Sequence, residues 1–235
     1  MIRCSGGLKL KTGAWLGIET TGEAAGTALV LDGEIVAEES FRAVGALSEE
    51  LLPGIQRMLR SCGLTDPVGR IRGVAVSSGP GSYTGLRIGI ATAEGLAAGW
   101  EAGLKGVDTL FALAVSTGVH TPVFSCGRAR HGEVFACLYS SGTPAAEVLA
   151  GPGVYSVTAA SRLLDGVEGA VAVGSGRAEM PGIPGLSWPF PALSSPPASI
   201  IASAGSFLAS RDGFDPSIRP VYLRGFMERA VDAVP

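Results

Sequence analysis

The sequence predicts an α/β fold, and three observations carry the prediction. Short apolar segments near the start of the chain are separated by turn-forming residues, which is typical of an antiparallel meander. A segment with apolar residues at helical spacing follows them. Beyond it, an apolar strand runs through a glycine-rich turn directly into a long helix. Helices that alternate with strands after a meander indicate a mixed sheet that is flanked by helices.

The predicted meander has three strands, at residues 15–18, 26–31 and 34–41. The turn Thr20-Thr21-Gly22-Glu23 joins the first two strands. Asp32-Gly33 joins the second to the third, and this dipeptide favours a tight two-residue hairpin. The three strands are therefore expected to pair in sequence order.

The first helix is predicted at residues 48–60. Ser48 suits the N-cap position, and Glu49 and Glu50 would complement the positive end of the helix dipole. Apolar residues then recur at helical spacing and mark the face that packs on the sheet. They are Leu51, Leu52, Ile55, Met58 and Leu59. Pro53 is expected to bend the helix or delay its start, because proline lacks the backbone N–H.

A glycine turn follows the next predicted strand, at residues 73–77, and leads into a helix at residues 83–100. The turn reads Gly79-Pro80-Gly81-Ser82-Tyr83-Thr84-Gly85. Its glycines permit positive φ and close backbone approach, and Ser82 or Thr84 can cap the helix. This geometry suits either a bound phosphate or a tight turn. The order β-β-β-α-β-α is that of a ribonuclease H-like fold, in which a strand reached through a helical crossover extends a meander.

The helix at 83–100 contains four glycines: Gly85, Gly89, Gly95 and Gly99. Each costs roughly 0.8–1 kcal/mol relative to alanine in a helix interior. Small residues at a spacing of four predict a smooth face that another helix or a sheet can approach closely. They are Gly85, Gly89, Ala93 and Ala97. Apolar residues on other sides, including Ile88 and Trp100, predict a second helix-packing surface.

A second half of the chain is predicted from about residue 105. Strands are expected at residues 106–107, 122–126, 133–139 and 169–173, and helices at 109–116 and 158–164. Residues 174–197 are rich in glycine and proline and should be irregular, before a last helix at 198–209. We therefore predict an N-terminal extension at 1–13, a first lobe at 14–104 and a second lobe at 105–235. The C-terminal segment is a candidate to return to the first lobe.

Composition limits the classes of function. The net charge is −3 and the chain has three lysines, so no basic field is expected to hold nucleic acid unaided. The four cysteines lack CxxC spacing, and His120 and His131 stand far apart in the sequence, which argues against a disulfide framework and a zinc or iron site. The chain shows neither the apolar region of a signal peptide nor a stretch long enough to span a bilayer. We therefore expect a cytoplasmic protein without membrane association.

Few enzymatic interpretations suit the glycine turn. A Walker loop would end in Gly-Lys-Ser/Thr, which is missing here. A dinucleotide site would use Asp108 for a ribose, but the spacing is GxGxxxG and a meander precedes it. A serine nucleophile would require a GxSxG elbow, which is also missing. The serines near the turn fit capping and turn roles instead.

A remnant nucleotide cleft stays open as an alternative. Glu19 ends the first strand, where kinase-like folds place a magnesium-facing carboxylate, although a solvated strand-end group explains it equally simply. The other candidate residues of this cleft are Thr20, Thr21, Gly22, Gly174, Ser175 and Gly176.

Six stretches of the chain resemble the TsaB family of bacterial tRNA threonylcarbamoyladenosine biosynthesis. They are WLGIETT, LLPGIQRML, AVSSGPGSYTGLRIGIATAEGLA, RARHGEVFACLY, AVGSG and RPVYLR. The resemblance implies a two-lobed fold of the acetate kinase, heat-shock 70 and actin superfamily (ASKHA), each lobe ribonuclease H-like with a mixed sheet flanked by helices. It also implies a noncatalytic, M22 glycoprotease-like relative of TsaD, since the chain lacks the metal-binding HxxxH motif of TsaD.

The resemblance further implies partners. The chain would pair with TsaD through helices 48–60 and 83–100, with TsaE joining the complex and tRNA bound only through it. TsaD would then transfer a threonylcarbamoyl group to N6 of adenosine 37. Alone, the chain would form a homodimer through the same helices. The expected interface residues are Leu51, Leu52, Ile55, Leu59, Gly85, Arg87, Ile88, Gly89, Thr92 and Ala93.

The same resemblance implies no catalytic residue, no metal and no tightly bound cofactor, with ATP and magnesium present in the complex alone. The alternative is a nucleotide-binding ASKHA protein or an M22-type peptidase homologue with a weak activity of its own. Tight binding of ATP and magnesium by the isolated chain would favour that alternative.

Overall fold

The computed structural model describes residues 3–4, 13–42, 45–180, 183 and 186–223. Most of the predicted N-terminal extension lies outside these residues. The chain folds into two compact units. The first comprises Met1–Val107 and Pro197–Pro220, and the second comprises Asp108–Pro196 and Val221–Pro235.

The first unit contains a six-stranded mixed sheet. Its strands are β1 (Arg3–Cys4), β2 (Ala14–Glu19), β3 (Ala24–Leu31), β4 (Glu34–Arg42), β5 (Ile71–Gly79) and β6 (Gly103–Asp108). The strand order is β1-β4-β3-β2-β5-β6. Strands β2, β3 and β4 pair antiparallel, which confirms the predicted meander, and β5 pairs parallel to β2. Asp32 and Gly33 both have positive φ, at 51° and 83°, as the two-residue hairpin requires.

Five α-helices are present in the described residues. They are α1 (Leu47–Ser61), α2 (Tyr83–Gly99), α3 (Thr109–Val115), α4 (Val157–Arg162) and α5 (Ala198–Asp212). In the first unit, α1 and α2 cover one face of the sheet, where their apolar residues share one core with Leu16, Ile18, Val74 and Val76. The alternate residues of the same strands lie under α5, so the unit has three layers.

Helix α1 begins one residue earlier than predicted. Its N-cap residue is Ala46, which makes no side-chain hydrogen bond to the helix, so Ser48 is not the cap. Leu47 is buried in the core and is the first residue of the helix. The helix continues through Pro53, although proline lacks the N–H that would pair with the carbonyl four residues earlier.

Helix α5 packs against the sheet at very short range. The backbone of Ala198 occupies the space that a side chain at Gly17 would fill, and Ala75 occupies that of Gly205. Glycine at these two positions lets the helix and the strands approach each other more closely than larger residues would. The last layer of the first unit therefore comes from a segment almost 120 residues after β5.

The segment after α5 returns along β6. Asp215 accepts a hydrogen bond from the backbone of Gly106 at 2.9 Å and pairs with Lys105 at 3.1 Å. The ring of Phe214 stacks on Trp15 with ring centroids 5.9 Å apart. These contacts fix the C-terminal part of the first unit to strands from its N-terminal part.

The second unit contains a four-stranded mixed sheet. Its strands are β7 (Val123–Arg128), β8 (Glu133–Tyr139), β9 (Val148–Ser156) and β10 (Val171–Val173), in the order β10-β7-β8-β9. Strand β10 is parallel to β7, and the other pairs are antiparallel. Helices α4 and α3 each contribute to a separate core against this sheet. The predicted α/β class, with a mixed sheet flanked by helices in each part, is confirmed.

Strand β9 was not predicted. Its sequence, VLAGPGVYS, lacks polar and apolar alternation and contains Gly-Pro-Gly, which normally indicates a turn. The strand lies at the edge of its sheet, where a proline can be accommodated, and its pairing with β8 is irregular. None of the helices in the described part of the chain is long and apolar enough to cross a membrane.

Candidate functional site

The glycine turn of the first unit lies at the carboxyl ends of the neighbouring parallel strands β2 and β5. The backbone N–H of Ser82 donates to the carbonyl of Thr21 at 2.9 Å. A Cβ added at Gly81 would come within 2.5 Å of the Thr21 Cβ, and Gly79 has a φ of 113°. The turn is thus closed onto the loop that follows β2. The glycines of the turn therefore serve close backbone approach to that loop.

Glu19 is buried at the end of β2, with 2% of its surface exposed. Its Oε1 accepts hydrogen bonds from the backbone N–H of Thr21 at 2.6 Å and from the Thr21 hydroxyl at 2.5 Å, and its Oε2 accepts one from the Ser77 hydroxyl. Burial raises the pKa of this carboxyl, and the bonds from Ser77 and Thr21 oppose the rise. The interpretation of Glu19 as a solvated strand-end group is therefore wrong.

The surroundings of Glu19 do not fit a magnesium ion. The side chain is 2% exposed and both of its oxygens accept hydrogen bonds from the same unit, whereas a protein-bound magnesium ion usually keeps several waters. Among the described residues, no three His, Cys, Asp or Glu side chains are grouped as metal ligands. Glu19 instead ties the end of β2 to β5 and to the loop after β2.

Thr20 fixes the start of α2. Its hydroxyl donates to the carbonyl of Gly85 at 2.8 Å, and Ser82 caps the helix by accepting from the Gly85 N–H at 3.2 Å, as predicted. A Cβ added at Gly85 would overlap the carbonyl oxygen of Thr20, and one at Gly89 would overlap its hydroxyl. These two glycines accommodate Thr20 within the same unit, and their part in a subunit interface stays a prediction.

The residues that were predicted for a partner interface divide by exposure. Leu51, Ile55, Leu59, Gly85, Gly89 and Ala93 are buried in the first unit. Leu52 and Arg87 are exposed, and Ile88 and Thr92 are partly exposed. The division follows helical periodicity, since the buried residues of α1 and α2 form the stripe that faces the sheet. A partner can thus contact the exposed and partly exposed residues on the folded surface, and the buried residues hold the two helices on the sheet.

A second set of small residues lies on the outer side of α2. Ala91, Gly95, Ala98 and Gly99 are exposed. A Cβ added at Gly95 or at Gly99 would meet no atom within 4 Å. Arg87 and Glu94 are the charged residues of this helix, and Glu94 accepts a hydrogen bond from the backbone N–H of Ile218 at 3.1 Å. The outer side of α2 is therefore smooth and poor in charge, unlike an ordinary solvated helix face.

The second glycine turn, Gly174-Ser175-Gly176, follows β10 and lies beside the end of β7. A Cβ added at Gly174 would overlap the carbonyl oxygen of Cys126, and one at Gly176 would overlap its sulfur. The Cys126 thiol is buried 3.5 Å from the sulfur of Met180, and burial raises its pKa. This turn is also closed by its own unit. The six residues predicted for a remnant cleft besides Glu19 therefore lie in two separate turns, three in each unit.

Asp108 has a structural role at the start of α3. Its carboxylate accepts from the backbone N–H of Phe111 at 2.8 Å and from the Tyr139 hydroxyl at 3.4 Å. Burial raises the pKa of this carboxyl, and these bonds oppose the rise. The residue thus caps a helix, which accounts for its position without a ribose. Local sequence could have revealed this role, because Asp followed by Thr and an apolar run is a typical helix start.

Comparison with protein families finds a matching model. The model is described as TsaD, tRNA N6-adenosine threonylcarbamoyltransferase, and it matches residues 41–190. The chain is 38% identical over 129 residues to the tRNA threonylcarbamoyladenosine biosynthesis protein TsaB of Escherichia coli, with 53% of this chain and 54% of that protein covered. It is 30% identical over 128 residues to TsaB of Bacillus subtilis, with the same coverage. The chain thus spans about half the length of the curated relatives it matches.

Solved structures show the same fold. YeaZ from Pseudomonas aeruginosa superposes with a TM-score of 0.72 at 23% sequence identity, over 90% of this chain and all of that one. This likeness concerns the fold alone, and it supports the predicted α/β class.

Proposed function

This chain belongs to the family that the TsaD model describes, and from that premise we propose that it is a TsaB-type, noncatalytic subunit in tRNA threonylcarbamoyladenosine biosynthesis. Its work is to bind a TsaD protein through α1 and α2 of the first unit. TsaE joins the assembly, tRNA is bound through the complex, and ATP with magnesium is used there. Without TsaD, two copies of the chain associate through the same helices.

The outer side of α2 is the observation that carries this proposal. Gly85 and Gly89 accommodate Thr20, but a Cβ at Gly95 or Gly99 would meet no atom of the unit within 4 Å. Each glycine costs the isolated helix roughly 0.8–1 kcal/mol relative to alanine. A partner helix that packs closely on this side gives both residues a purpose, because the missing Cβ atoms bring the two backbones together.

Exposed apolar side chains on α1 and α2 support the same proposal. Leu52 on α1 is 44% exposed, and Tyr83 at the start of α2 is 55% exposed. Ile88 is partly buried against the core and partly open to the same side. Exposed apolar residues that lie beside a smooth helix are typical of the centre of a protein interface.

The roles of the former catalytic candidates support a noncatalytic subunit. Glu19 uses both oxygens within the first unit, and Asp108 caps α3 in the second. Both glycine turns are closed by their own units. These residues therefore have structural explanations that leave the chemistry to the partner.

Light scattering during size-exclusion chromatography tests the proposal. The chain is run alone and with the TsaD protein of the same organism, as wild type and as Gly95→Arg. The arginine has room on the isolated chain but would be driven into a helix packed on that side. The control is Ser210→Arg, since Ser210 is exposed on α5, on the opposite face of the same sheet.

We expect a homodimer that exchanges for a heterodimer in the wild type and in Ser210→Arg, and the loss of both assemblies in Gly95→Arg. A heterodimer that tolerates Gly95→Arg would place the interface elsewhere. A wild-type chain that ignores TsaD would refute the proposal, and titration with ATP and magnesium would then test the nucleotide-binding alternative.

A further inference from the structure

The hairpin between β7 and β8 carries arginine and histidine side chains that the proposed subunit role does not use. Arg128 ends β7, and Arg130 and His131 lie in the connecting loop. Arg177 lies on a neighbouring 3-10 helix, Ser175–Ala178. We name Arg128, Arg130, His131 and Arg177 the basic ledge.

Hydrogen bonds on both sides of Arg177 hold the 3-10 helix against the hairpin. The Ser175 hydroxyl, two residues before Arg177, accepts from the backbone N–H of Arg128 at 3.0 Å. The Glu179 carboxylate, two residues after it, accepts from the backbone N–H of Gly132 at 3.1 Å and pairs with Arg128 at 3.4 Å. Two short segments that are distant in sequence thus lie against each other, and each carries exposed arginines.

The loop of the ledge is fixed before anything binds to it. The N–H of Gly132 donates to Glu179, as described above, and the carbonyl of Gly132 accepts a hydrogen bond from the backbone N–H of Val157 at 3.3 Å. The carbonyl of Arg130 accepts one from the backbone N–H of Glu133 at 2.9 Å. A ligand would therefore order few backbone groups on binding, which favours affinity.

The charges of the ledge are arranged with the positive groups outermost. The side chain of Glu179 is 12% exposed, whereas that of Arg128 is 59% exposed and the ring of His131 is fully exposed. Arg130 and Arg177 are exposed as well. The other carboxylate of the hairpin, Glu133, is partly buried, with its Oε2 shielded from solvent. The field that reaches solvent is therefore positive.

This concentration of charge is local. Between Asp108 and Pro196 the chain has four arginines and no lysine, and three of the four lie on the ledge. The whole chain has a net charge of −3, so the ledge is an exception to its surroundings.

We propose that the basic ledge binds the phosphate backbone of RNA. A guanidinium group matches phosphate geometry with two parallel hydrogen bonds, and an exposed imidazole can stack on a base. Three guanidinium groups neutralise too few phosphates to hold RNA alone at physiological salt, so the ledge adds contacts to RNA that a larger assembly holds. This inference rests on the proposed function, in which tRNA is bound through the complex with TsaD.

Titration of that complex with a labelled, unmodified tRNA transcript tests the ledge. Binding is measured from about 50 to 200 mM salt for the wild type, for Arg130→Glu/Arg177→Glu and for Arg130→Lys/Arg177→Lys. The control, Arg72→Glu/Arg162→Glu, makes the same change of net charge at two exposed arginines that are not on the ledge. Light scattering on the same samples reports whether the two proteins associate.

For the glutamate pair on the ledge, we expect affinity for RNA to fall at least about tenfold and the salt dependence to weaken by about one phosphate contact for each arginine removed. The lysine pair should keep most of the affinity because it keeps the charge. An affinity that the glutamate pair leaves unchanged, or that the control lowers equally, would overturn the proposal.

Two other outcomes separate the ledge from the proposed function. If the glutamate pair weakens association of the proteins and leaves the RNA affinity of the formed complex unchanged, the ledge contacts an acidic protein surface and the RNA proposal is wrong. If wild-type proteins form no complex, the proposed function fails, and the chain alone is titrated at low salt. Weaker binding by the ledge variant than by the control would then support the ledge, and equal binding would overturn it.

Discussion

The two units close a glycine turn over the same place in their sheets but bury different chemistry beneath it. In each unit the turn follows the second of two neighbouring parallel strands and packs onto the end of the first. The first unit buries the Glu19 carboxylate there, with hydrogen bonds from Ser77 and Thr21. The second buries two sulfur atoms, of Cys126 and Met180. Close backbone approach is thus the shared requirement, and the polar content varies.

If close approach is the shared requirement, Gly174→Ala should have the largest effect, about 3 kcal/mol of stability lost. The residue has a φ of 112°, and its new Cβ would overlap the Cys126 carbonyl, so backbone strain and overpacking both contribute. Urea unfolding measures the loss, and hydrogen exchange should place it in β7 and β10. Gly13→Ala is the matched control, since Gly13 has a φ of 115° but open space around it. Equal losses in the two variants would mean that strain alone accounts for the effect.

The same test in the first unit is Gly85→Ala, for which we expect a loss of about 2 kcal/mol. Its Cβ would overlap a backbone carbonyl, which cannot rotate away, and the better helix propensity of alanine offsets part of the cost. Gly95→Ala on the open side of the same helix should instead stabilise the isolated chain by about 0.5–1 kcal/mol. Thermal and urea unfolding of both variants decide the matter, and a gain at Gly85 would show that the first turn is looser than its counterpart.

Glu19→Gln tests the buried carboxylate that distinguishes the first unit from the second. Its effect on stability should depend on pH. Burial raises the pKa of Glu19 above its ordinary value of 4.5, so the folded state holds this proton more tightly than the unfolded chain does. The stability that results is fully present below the unfolded pKa and is lost as pH rises through the folded pKa.

Relative to Glu19→Gln, the wild type should therefore become progressively less stable as pH rises from about 4.5, the ordinary value, and the difference should level off above the folded pKa. Urea midpoints of both proteins between pH 4 and 8 measure the trend. Cys126→Ala, in the second unit, should show no corresponding trend over this range. The ordinary pKa of a cysteine thiol, 9.0, already lies above pH 8, and burial raises the pKa of Cys126 above that value. A difference between wild type and Glu19→Gln that does not vary with pH would contradict the assignment.

Much of the fold could be predicted because local signals and tertiary packing agree. Asp32-Gly33 fixed the hairpin, and Ser82 capped α2 where the sequence placed it. Strand β9 could not be predicted, because its pairing with β8 holds a Gly-Pro-Gly sequence in an extended edge strand that no local preference favours. Tertiary contacts therefore determine the structure of β9 against the preference of its local sequence.

The candidate site was less predictable than the fold, since it depends on which side of a helix or strand packs against other residues. Small residues lie on both sides of α2, so the sequence could not show that Gly85 faces Thr20 while Gly95 faces open space. Likewise, a strand-end glutamate looks the same in sequence whether it is solvated or buried against Ser77. The basic ledge could not be predicted from the sequence, because hydrogen bonds join the segments that carry Arg130 and Arg177 across a long stretch of the chain.

The position of α5 in the chain has a consequence for synthesis on the ribosome. The sheet of the first unit is covered on one face by a helix that starts at Ala198, long after β5 has been made. At about 5–20 residues per second, the interval is on the order of ten seconds. During that time the bare face around Gly17 and Ala75 belongs to an unfinished domain, which is the stage at which a nascent chain most needs a chaperone. A transcript truncated before Ala198 would leave that face uncovered permanently.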